Sequence, residues 1–400
     1  MDNVEKNLPL EGVKVVAFTH AVMGPAAGLI LADLGAEVIH IEPPTGDTTR
    51  RLKGFGIGYF AYFNRNKKSF AIDLKAPESK EILFKMIGSA DILLENFGPG
   101  TIERLGLGYD VLSKHNPKLI YVALKGFLPG PYEKRVAMDE VVQMMGGLAY
   151  MTGPPGTPLR AGTSVVDING GMFAAIAAIT ALYDRQRTGK GTYIKSALFE
   201  TTAFLMGQHM AVSAITQQPV PPMPDRVSAW SIYQLFETSD NEQVFVGIIS
   251  EKHWALFCNA FQRQDWLDDP RLKTNNDRIA ERDWFLPAVK EMLKGLSKQE
   301  IVDKCDAAGV CFAPISRPED LFDDPQLNSG AYGLVETTFP DGKTAKMPRL
   351  PLQFGSYDLK KRSDPPSKIG SDTREILTSM GYDTETIDNL AKKNIIALGD

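Results

Sequence analysis

The chain has 400 residues, of which 43% are apolar and 23% charged, with a formal net charge of −5 at pH 7. This length exceeds what one core usually carries and predicts two domains, or one domain interrupted by another. The mild acidity argues against nucleic-acid binding, so an anionic ligand would need a local group of cations. Cys258, Cys305 and Cys311 lack metal-ligand spacing, which argues against a zinc site, and their odd number argues against a disulfide framework.

No secretory signal or membrane span is expected. The first residues lack the charged and apolar regions of a signal peptide, and no uninterrupted apolar run reaches the length that crosses a bilayer. Together with the unpaired cysteines, this predicts a cytoplasmic protein that does not bind a membrane.

The N-terminal part alternates between buried strands and helices. Residues 13–18 and 37–42 are apolar, β-branched runs typical of parallel strands, and a helix-forming stretch at 24–35 connects them. Further helices are predicted at 79–87 and 109–115, and further strands at 91–95 and 119–124. The pattern indicates an α/β domain with a parallel sheet.

Asp167 precedes an alanine-rich helix that is predicted over 172–187 and is followed by a strand at 192–197 and a helix at 199–214. The free amides at a helix start favour an ionised carboxylate at that point. This arrangement suits both an ordinary N-cap and a nucleophile, and the residue alone does not choose between them.

Two proline-rich stretches interrupt the C-terminal part. Residues 217–224 are too rich in proline for regular structure and behave as an extended linker. Beyond them, a hairpin at 231–249 and helices at 252–261, 282–295 and 298–308 predict a smaller α+β domain. A second extended region covers 347–368, before a final helix pair at 372–393.

The first strand–turn–helix unit ends in Glu42 and invites a dinucleotide-binding interpretation. Its turn, residues 20–26, contains Pro25 and lacks the required glycine triplet, which argues against that interpretation. A separate basic segment, residues 64–75, contains four cations, with Arg50, Arg51 and Arg104 as further candidates. It is either a solvated loop or a clamp for nucleotide phosphates, and spacing leaves both open.

Several collinear blocks resemble the family III coenzyme A transferases. These blocks, which cover nearly the whole chain, are residues 10–16, 23–28, 33–47, 64–75, 95–100, 116–127, 188–191, 313–320, 324–327 and 375–382. The resemblance implies a large Rossmann-like domain formed by residues 1–215 and 369–400, with a small α+β domain, 230–335, inserted between them. It also implies that linkers 216–229 and 336–368 let two subunits thread through each other as an interlocked homodimer.

The same resemblance assigns Asp167 as the catalytic aspartate. In this family the carboxylate attacks an acyl-CoA thioester and forms first a mixed anhydride and then an aspartyl-CoA thioester. The implied substrates are coenzyme A thioesters, with succinyl-CoA a common donor, and carboxylic acids. No metal and no permanently bound cofactor is implied.

Similarity to formyl-CoA transferases implies a set of coenzyme A-binding residues. They are Val22, Met23, Ile72, Asp73, Leu74, Lys75, Asn96, Phe97, Gly98 and Arg104. Lys75 and Arg104 are natural partners for phosphates, whereas Phe97 could equally be a core residue.

The chain departs from that subgroup in its acyl pocket. Val22 and Met23 replace a glutamine and an alanine, Val136 and Met138 replace a lysine and a tyrosine, and residues 225–233 lack a run of glycines. We expect a roomier, more apolar pocket that takes a medium-sized, aromatic or branched acid. The predicted acyl-pocket residues are Met138, Asp139, Gly170, Gly171, Trp230 and Tyr233, and Met144 and Met145 are either further lining or core.

Two alternatives stay open. The 2-methylacyl-CoA racemases share the Asp167 position but need a second base, and they carry a histidine where this chain has Met138. His20 is the other candidate base by position. Alternatively, the chain is one subunit of a hetero-oligomeric CoA-transferase.

Overall fold

The computed structural model describes residues 8–226, 228–330, 333–359 and 364–399. Its strands are β1 Lys14–Phe18, β2 Glu37–Glu42, β3 Lys67–Ile72, β4 Ile92–Glu95, β5 Ile120–Lys125, β6 Thr192–Ala197, β7 Tyr233–Glu237, β8 Gln243–Gly247, β9 Cys311–Pro314, β10 Leu334–Thr338, β11 Thr344–Pro348 and β12 Ile396–Ala397.

The helices of the N-terminal part are α1 Met23–Asp33, α2 Tyr59–Phe63, α3 Pro77–Gly88, α4 Thr101–Arg104, α5 Tyr109–His115, α6 Asp139–Met145, α7 Leu148–Thr152, α8 Val165–Thr188 and α9 Leu198–Thr216. Those of the C-terminal part are α10 Glu251–Ala260, α11 Gln264–Leu267, α12 Asn275–Ala280, α13 Arg282–Lys294, α14 Lys298–Ala308, α15 Pro325–Asn328, α16 Thr373–Ser379 and α17 Thr384–Lys392. Short 3₁₀ turns cover Thr48–Arg51, Gly54–Gly58, Met223–Asp225, Pro270–Leu272 and Pro318–Phe322.

The main sheet has seven strands in the order β12-β3-β2-β1-β4-β5-β6. Neighbouring strands run parallel except β12, which pairs antiparallel with β3. Apolar side chains are buried on both faces because helices cover both: α1 and α8 lie on one face, and α3, α5, α16 and α17 on the other. The predicted parallel α/β fold is confirmed.

The connections of this sheet create a crevice beside β1. From β1 the chain proceeds outward through β2 and β3, then returns to the other side of β1 and proceeds through β4, β5 and β6. Neighbouring loops at the carboxyl ends of β1 and β4 therefore diverge in opposite directions. Such a switch point is where open parallel sheets bind their ligands.

Helix α8 is long and apolar enough to cross a membrane by length and composition alone. Here it is a core helix: Val166, Ala174 and Ala178 are buried in the cluster that also contains residues of α1 and β5. The predicted start of this helix at residue 172 was wrong, because it begins at Val165 and so includes Asp167.

The chain divides into two compact units, the first formed by the residues up to Pro224 and from Asn328 on, and the second by Asp225–Leu327. In the second unit the antiparallel strands β7, β8 and β9 form a sheet. Its own core includes Trp254, Phe257 and Phe285. The strand pair β10–β11 occupies part of the second predicted linker, and the predicted domain boundaries themselves stay predictions.

Candidate active site

A cavity of about 370 Å³ lies at the carboxyl ends of the central strands. This volume is within the range of small-molecule sites. Its lining consists of His20, Ala21, Val22, Met23, Phe55, Tyr59, Asn96, Leu124, Lys125, Ala137, Met138, Asp139, Glu140, Arg160, Ser164, Asp167 and Leu198. The side chain of Asp167 therefore lies in the same cavity as the loops that border the switch point.

Asn96 joins the two strand ends that border this crevice. Its side-chain Oδ1 accepts a 3.0 Å hydrogen bond from the amide of His20, and its Nδ2 donates a 2.8 Å bond to the carbonyl of His20. His20 follows β1 and Asn96 follows β4, so this reciprocal pair fixes the separation of the two loops. Asn96, predicted to bind coenzyme A, thus has a structural task as well.

Asp167 lies in the first turn of α8, and the N-cap position belongs to Ser164. The interpretation of Asp167 as the cap is therefore wrong. The capping acceptor is Asp139 of α6, whose Oδ2 receives hydrogen bonds from the amides of Val166 at 2.9 Å and Asp167 at 3.1 Å. The side chain of Asp167 is consequently not needed as a cap and lines the cavity.

Asp139 is itself held by α6 and the loop before α8. Its Oδ1 accepts a hydrogen bond from Nε2 of Gln143, one turn further along α6. The other end of the Gln143 amide, Oε1, accepts a 2.8 Å bond from the amide of Ala161. One buried polar network thus sets the position of the first turn of α8, and a fully satisfied network of this kind is rigid.

The surroundings of Asp167 disfavour its charge. Burial, and secondarily the negative charge of Asp139, raise the pKa of Asp167 to about 7, while the positive charge of Arg160 acts in the opposite direction. A carboxylate of raised pKa is more basic, and strongly perturbed carboxylates in clefts mark candidate catalytic groups. Asp167 is therefore the candidate reactive group of this cavity.

Two permanent cations, Lys125 and Arg160, line the cavity, and they differ in how many of their hydrogen-bond donors already have acceptors. Lys125 forms a 2.6 Å ion pair with Glu95 and donates to the carbonyl of Phe97 at 2.9 Å. Arg160 donates from Nη1 to Glu140 at 2.7 Å and from Nε to the carbonyl of Ala161 at 3.1 Å. The Nη2 atom of Arg160 is buried and has no hydrogen-bond partner among the described residues.

The predicted coenzyme A residues fall into two groups. Val22, Met23 and Asn96 line the cavity. The others lie outside its lining: Ile72 is fully buried in β3, Phe97 stacks on His20 with ring centroids 6.1 Å apart, Asp73 and Leu74 are half-buried, and Lys75, Gly98 and Arg104 are exposed. Because Ile72 has no exposed side-chain surface, a contact from it would require its backbone. The assignment of this set to coenzyme A stays a prediction.

The basic segment is not a free phosphate clamp. Arg65 is buried in an ion pair with Asp33 at 2.6 Å, and Lys68 binds Glu37 and Glu375. Lys67 is completely buried and donates 2.9 Å bonds to the carbonyl of Pro25 and to Asn64, and burial lowers its pKa to about 7.

The further candidate arginines also have partners. Arg50 pairs with Glu42 at 2.7 Å and Arg51 donates to the carbonyl of Thr45. Arg50, Arg65, Lys67 and Lys68 are thus held by partners within the fold, whereas Arg51, Lys75 and Arg104 of the proposed clamp keep exposed side chains.

Gly170 and Gly171, predicted to border the acyl group, do not line the cavity. Both are buried where α8 crosses α1, and a Cβ at Gly171 would lie 2.7 Å from the carbonyl oxygen of Met23 and 3.0 Å from the amide of Ala27. A Cβ at Gly170 would meet the Met23 side chain. Their lack of side chains lets the two helices pack closely. Their predicted place beside the acyl group stays a prediction.

The remaining predicted pocket residues are distributed as follows. Met138 and Asp139 line the cavity, and Met138 is 67% exposed. Trp230 and Tyr233 belong to the second unit, where their rings lie 4.7 Å apart, and their role stays a prediction. Met145 packs against the core and Met144 is exposed, and neither lines the cavity.

Sequence reasoning missed Arg160, Lys125 and Gln143. An arginine seven positions before Asp167, in a loop of glycines and prolines, was the available signal for Arg160. This signal is weak, because only the folded loop reveals which of the arginine's nitrogens has no hydrogen-bond acceptor among the described residues.

The family model for CoA-transferase family III matches residues 10–373. The chain is 31% identical to the succinyl-CoA:glutarate CoA-transferase of Mus musculus over 97% of this chain and 90% of that relative. It is 34% identical to the acetyl-CoA:oxalate CoA-transferase of Acetobacter aceti over 88% and 90% of the two chains. A solved CAIB/BAIF family protein from Brucella suis has a TM-score of 0.82 at 30% identity, covering 94% of this chain and all 100% of that one. The chain therefore belongs to the family III CoA-transferases and is a CoA-transferase enzyme.

Proposed function

We propose that the enzyme transfers coenzyme A from an acyl-CoA donor, with succinyl-CoA as the first candidate, to a medium-sized carboxylic acid, and that Asp167 is its covalent nucleophile. The observation that carries this proposal is the position of Asp167. Its carboxylate lines a cavity at the carboxyl ends of the strands, while Asp139 takes over the capping of its helix. Asp167 is thus free to react.

The transfer proceeds through two kinds of acyl exchange on Asp167. A carboxylate oxygen of Asp167 attacks the thioester carbon of the donor, the carbon–sulfur bond breaks, and a mixed anhydride and CoA thiolate form. The thiolate then attacks the aspartyl carbon and releases the donor acid as a carboxylate. The acceptor carboxylate attacks the resulting aspartyl-CoA thioester, and the liberated thiolate returns to the acceptor acyl carbon, which restores Asp167.

The side chains that line the cavity indicate which class of carboxylic acid it accepts. Met23, Met138, Leu124 and Leu198 contribute apolar surface, and flexible thioethers adapt to bulky groups. This surface supports an aromatic or branched acid. The two relatives named above act on glutarate and on oxalate, which makes dicarboxylic acids the competing class. A screen with succinyl-CoA and acetyl-CoA against both classes, read by product mass, decides between them.

Covalent trapping tests the proposed mechanism. Incubation with an acyl-CoA followed by hydroxylamine should mark Asp167, as read by peptide mass spectrometry. Asp167→Asn and Asp167→Ala should lose at least about a thousandfold in kcat while their circular dichroism stays that of the parent. Near-normal turnover in the alanine variant, or a label on another carboxylate, would contradict the proposal.

A racemase-like activity is the second candidate, and it has one structural observation in its favour. His20 lines the same cavity as Asp167, and burial lowers its pKa, so its imidazole is neutral and able to accept a proton. Racemisation predicts that deuterium from solvent enters the α-carbon of a 2-methylacyl-CoA. Rapid exchange that His20→Ala abolishes would favour this activity over CoA transfer.

We also propose that the enzyme is a homodimer. Helices α8 and α9 expose large apolar side chains on the described surface, among them Ile176 at 57%, Phe204 at 71% and Ile215 at 82% exposure. Phe173 and Phe204 are in edge-to-face contact at 5.2 Å, so the two helices share this apolar face. Contiguous apolar surface of this kind marks protein–protein contacts. A second copy of the chain is the proposed occupant, and an unlike subunit of the same family is the alternative.

A further inference from the structure

Two of the three guanidinium nitrogens of Arg160 have hydrogen-bond acceptors, whereas the third has only an ion-pair contact with Asp139. Nη1 is held by Glu140 at 2.7 Å and Nε by the carbonyl of Ala161 at 3.1 Å, which fixes the plane of the guanidinium. Nη2 is buried without a hydrogen-bond partner among the described residues, and Arg160 lines the cavity that contains Asp167. An unsatisfied buried donor on a charged group is costly, so a bound ligand would relieve it.

Asp139 does not fill that role. Nη2 of Arg160 forms an ion pair with Oδ1 of Asp139 at 3.7 Å, and this separation is beyond hydrogen-bond distance. Asp139 already accepts three hydrogen bonds, from the amides of Val166 and Asp167 and from Gln143. The network that positions α8 is therefore complete without Arg160.

The charges of the cavity point to the ligand. Three carboxylates, those of Asp139, Glu140 and Asp167, line it, whereas a free carboxylic acid enters as an anion and needs a cation there. Lys125 is bound to Glu95, and burial keeps His20 neutral. Arg160 is the permanent cation of this lining that combines a fixed orientation with a donor that has no hydrogen-bond acceptor among the described residues. Planar guanidinium groups suit carboxylates.

We infer that Nη2 of Arg160 binds a carboxylate group of the free acid substrate and so determines the affinity for that substrate. This inference rests on the proposed CoA transfer. Two carboxylates could be bound: the one that reacts at Asp167, or the far carboxylate of a dicarboxylic acid. In the second case Arg160 selects dicarboxylic acids over monocarboxylic acids of the same length.

Calorimetric titration of glutarate and valerate, which have equal carbon numbers, tests the inference without turnover. The host is the Asp167→Asn variant, and Arg160→Gln and Arg160→Lys are added to it. Loss of the charged hydrogen bond should weaken binding about tenfold or more with Gln and less with Lys. Arg187→Gln, an exposed arginine at the far end of α8, serves as the matched control and should change nothing.

The pattern of losses identifies the bound group. Weaker binding of both acids assigns Arg160 to the reacting carboxylate, and weaker binding of glutarate alone assigns it to the far carboxylate. Unchanged affinities for both acids overturn the inference. In the active Asp167 background, KM for the acid should rise with KM for acyl-CoA unchanged, and equal rises in both overturn the inference as well.

Failure of the proposed function has a different signature. An otherwise intact protein that binds glutarate through Arg160 but transfers coenzyme A to no acid would refute CoA transfer while leaving carboxylate recognition in place. A protein that transfers coenzyme A with unchanged acid KM after Arg160→Gln would refute the role of Arg160 alone. A shift only in the pH profile would show that Arg160 acts on Asp167 instead, and would also overturn the inference.

Discussion

The carboxylate of Asp139 accepts a 3.1 Å hydrogen bond from the backbone amide of Asp167. Burial is the main cause of the raised pKa of Asp167, and the negative charge of Asp139 raises that pKa further. Asp139 thus fixes the backbone of the candidate nucleophile and also contributes to its protonation. Because the second oxygen of Asp139 is held by Gln143, the distance between the two acids is set by α6.

The pH dependence of the reaction should report Asp167. Its pKa is raised to about 7 by burial and by the charge of Asp139, and only the ionised form attacks a thioester. We expect kcat/KM for the acyl-CoA to rise about tenfold per pH unit below about 7 and to level off above it. Steady-state rates across a series of overlapping buffers measure this profile, and a flat profile through that range would contradict the assignment.

Replacing Asp139 by asparagine should move that profile. The change removes a negative charge, so the pKa of Asp167 should fall and the profile should shift to lower pH. The amide oxygen of asparagine still accepts from a helix amide, so we expect a loss of unfolding free energy of about 1 to 2 kcal/mol. Asp184→Asn, an exposed acid near the end of α8, is the control and should leave the profile in place. An unshifted profile in the Asp139 variant would show that this charge does not act on Asp167.

Asparagine at position 167 should stabilise the fold, increasingly so at higher pH. The unfolded aspartate titrates near 3.8, whereas the folded one has a pKa of about 7. Between these values the folded state binds the extra proton, so stability falls as pH rises and levels off above about 7. Asp167→Asn removes this cost, and its advantage should grow from about 1 to 2 kcal/mol at about pH 5 to at most about 4 kcal/mol at about pH 8. Urea unfolding at both pH values checks this, and an advantage that shrinks with pH would refute the raised pKa.

A side chain at Gly171 should separate α8 from α1. The added Cβ of alanine would lie 2.7 Å from the carbonyl oxygen of Met23 and 3.0 Å from the amide of Ala27, and backbone atoms cannot move aside cheaply. We expect Gly171→Ala to lower the unfolding free energy by about 2 to 4 kcal/mol. Gly295→Ala is the control, because its Cβ approaches no atom closer than 3.4 Å. Equal effects of the two substitutions on thermal unfolding would argue against close packing of α1 on α8.

A charge on the apolar face of α8 and α9 should dissociate the proposed dimer. Phe204 is 71% exposed, so Phe204→Glu does not disturb a core, while it places a charge in an apolar interface. We expect the parent to elute as a dimer and this variant as a monomer in size-exclusion chromatography with light scattering. Tyr183→Glu is the comparison, at 78% exposure near the end of α8. A parent that is monomeric at micromolar concentration, or one that requires an unlike chain, would rule out the homodimer.

Much of the fold could be predicted from the sequence. The apolar runs that became β1 and β2 contain Val15 and Val38, which pair in register in the sheet, because strands buried on both faces require continuous apolar sequence. The order of the helices and strands along the first domain followed from the same periodicity. The start of α8 was missed because the residues Ser-Val-Val-Asp resemble a loop locally, and the acceptor that allows a helix there, Asp139, is distant in sequence.

Part of the candidate site could likewise be predicted from the sequence, and part depended on the fold. The sequence by itself determined the class of chemistry, since its collinear blocks indicated the family III CoA-transferases and that family's model matches residues 10–373. Only the tertiary structure decided which charges serve the fold and which serve the site. Lys67 and Arg65 are bonded inside the fold to Asn64 and Asp33, whereas one guanidinium nitrogen of Arg160, which lines the cavity, has no hydrogen-bond acceptor among the described residues. The physical reason is that a charged side chain binds whichever partner the folded chain brings within hydrogen-bond distance. Packing determines those partners, and they need not be close in the sequence.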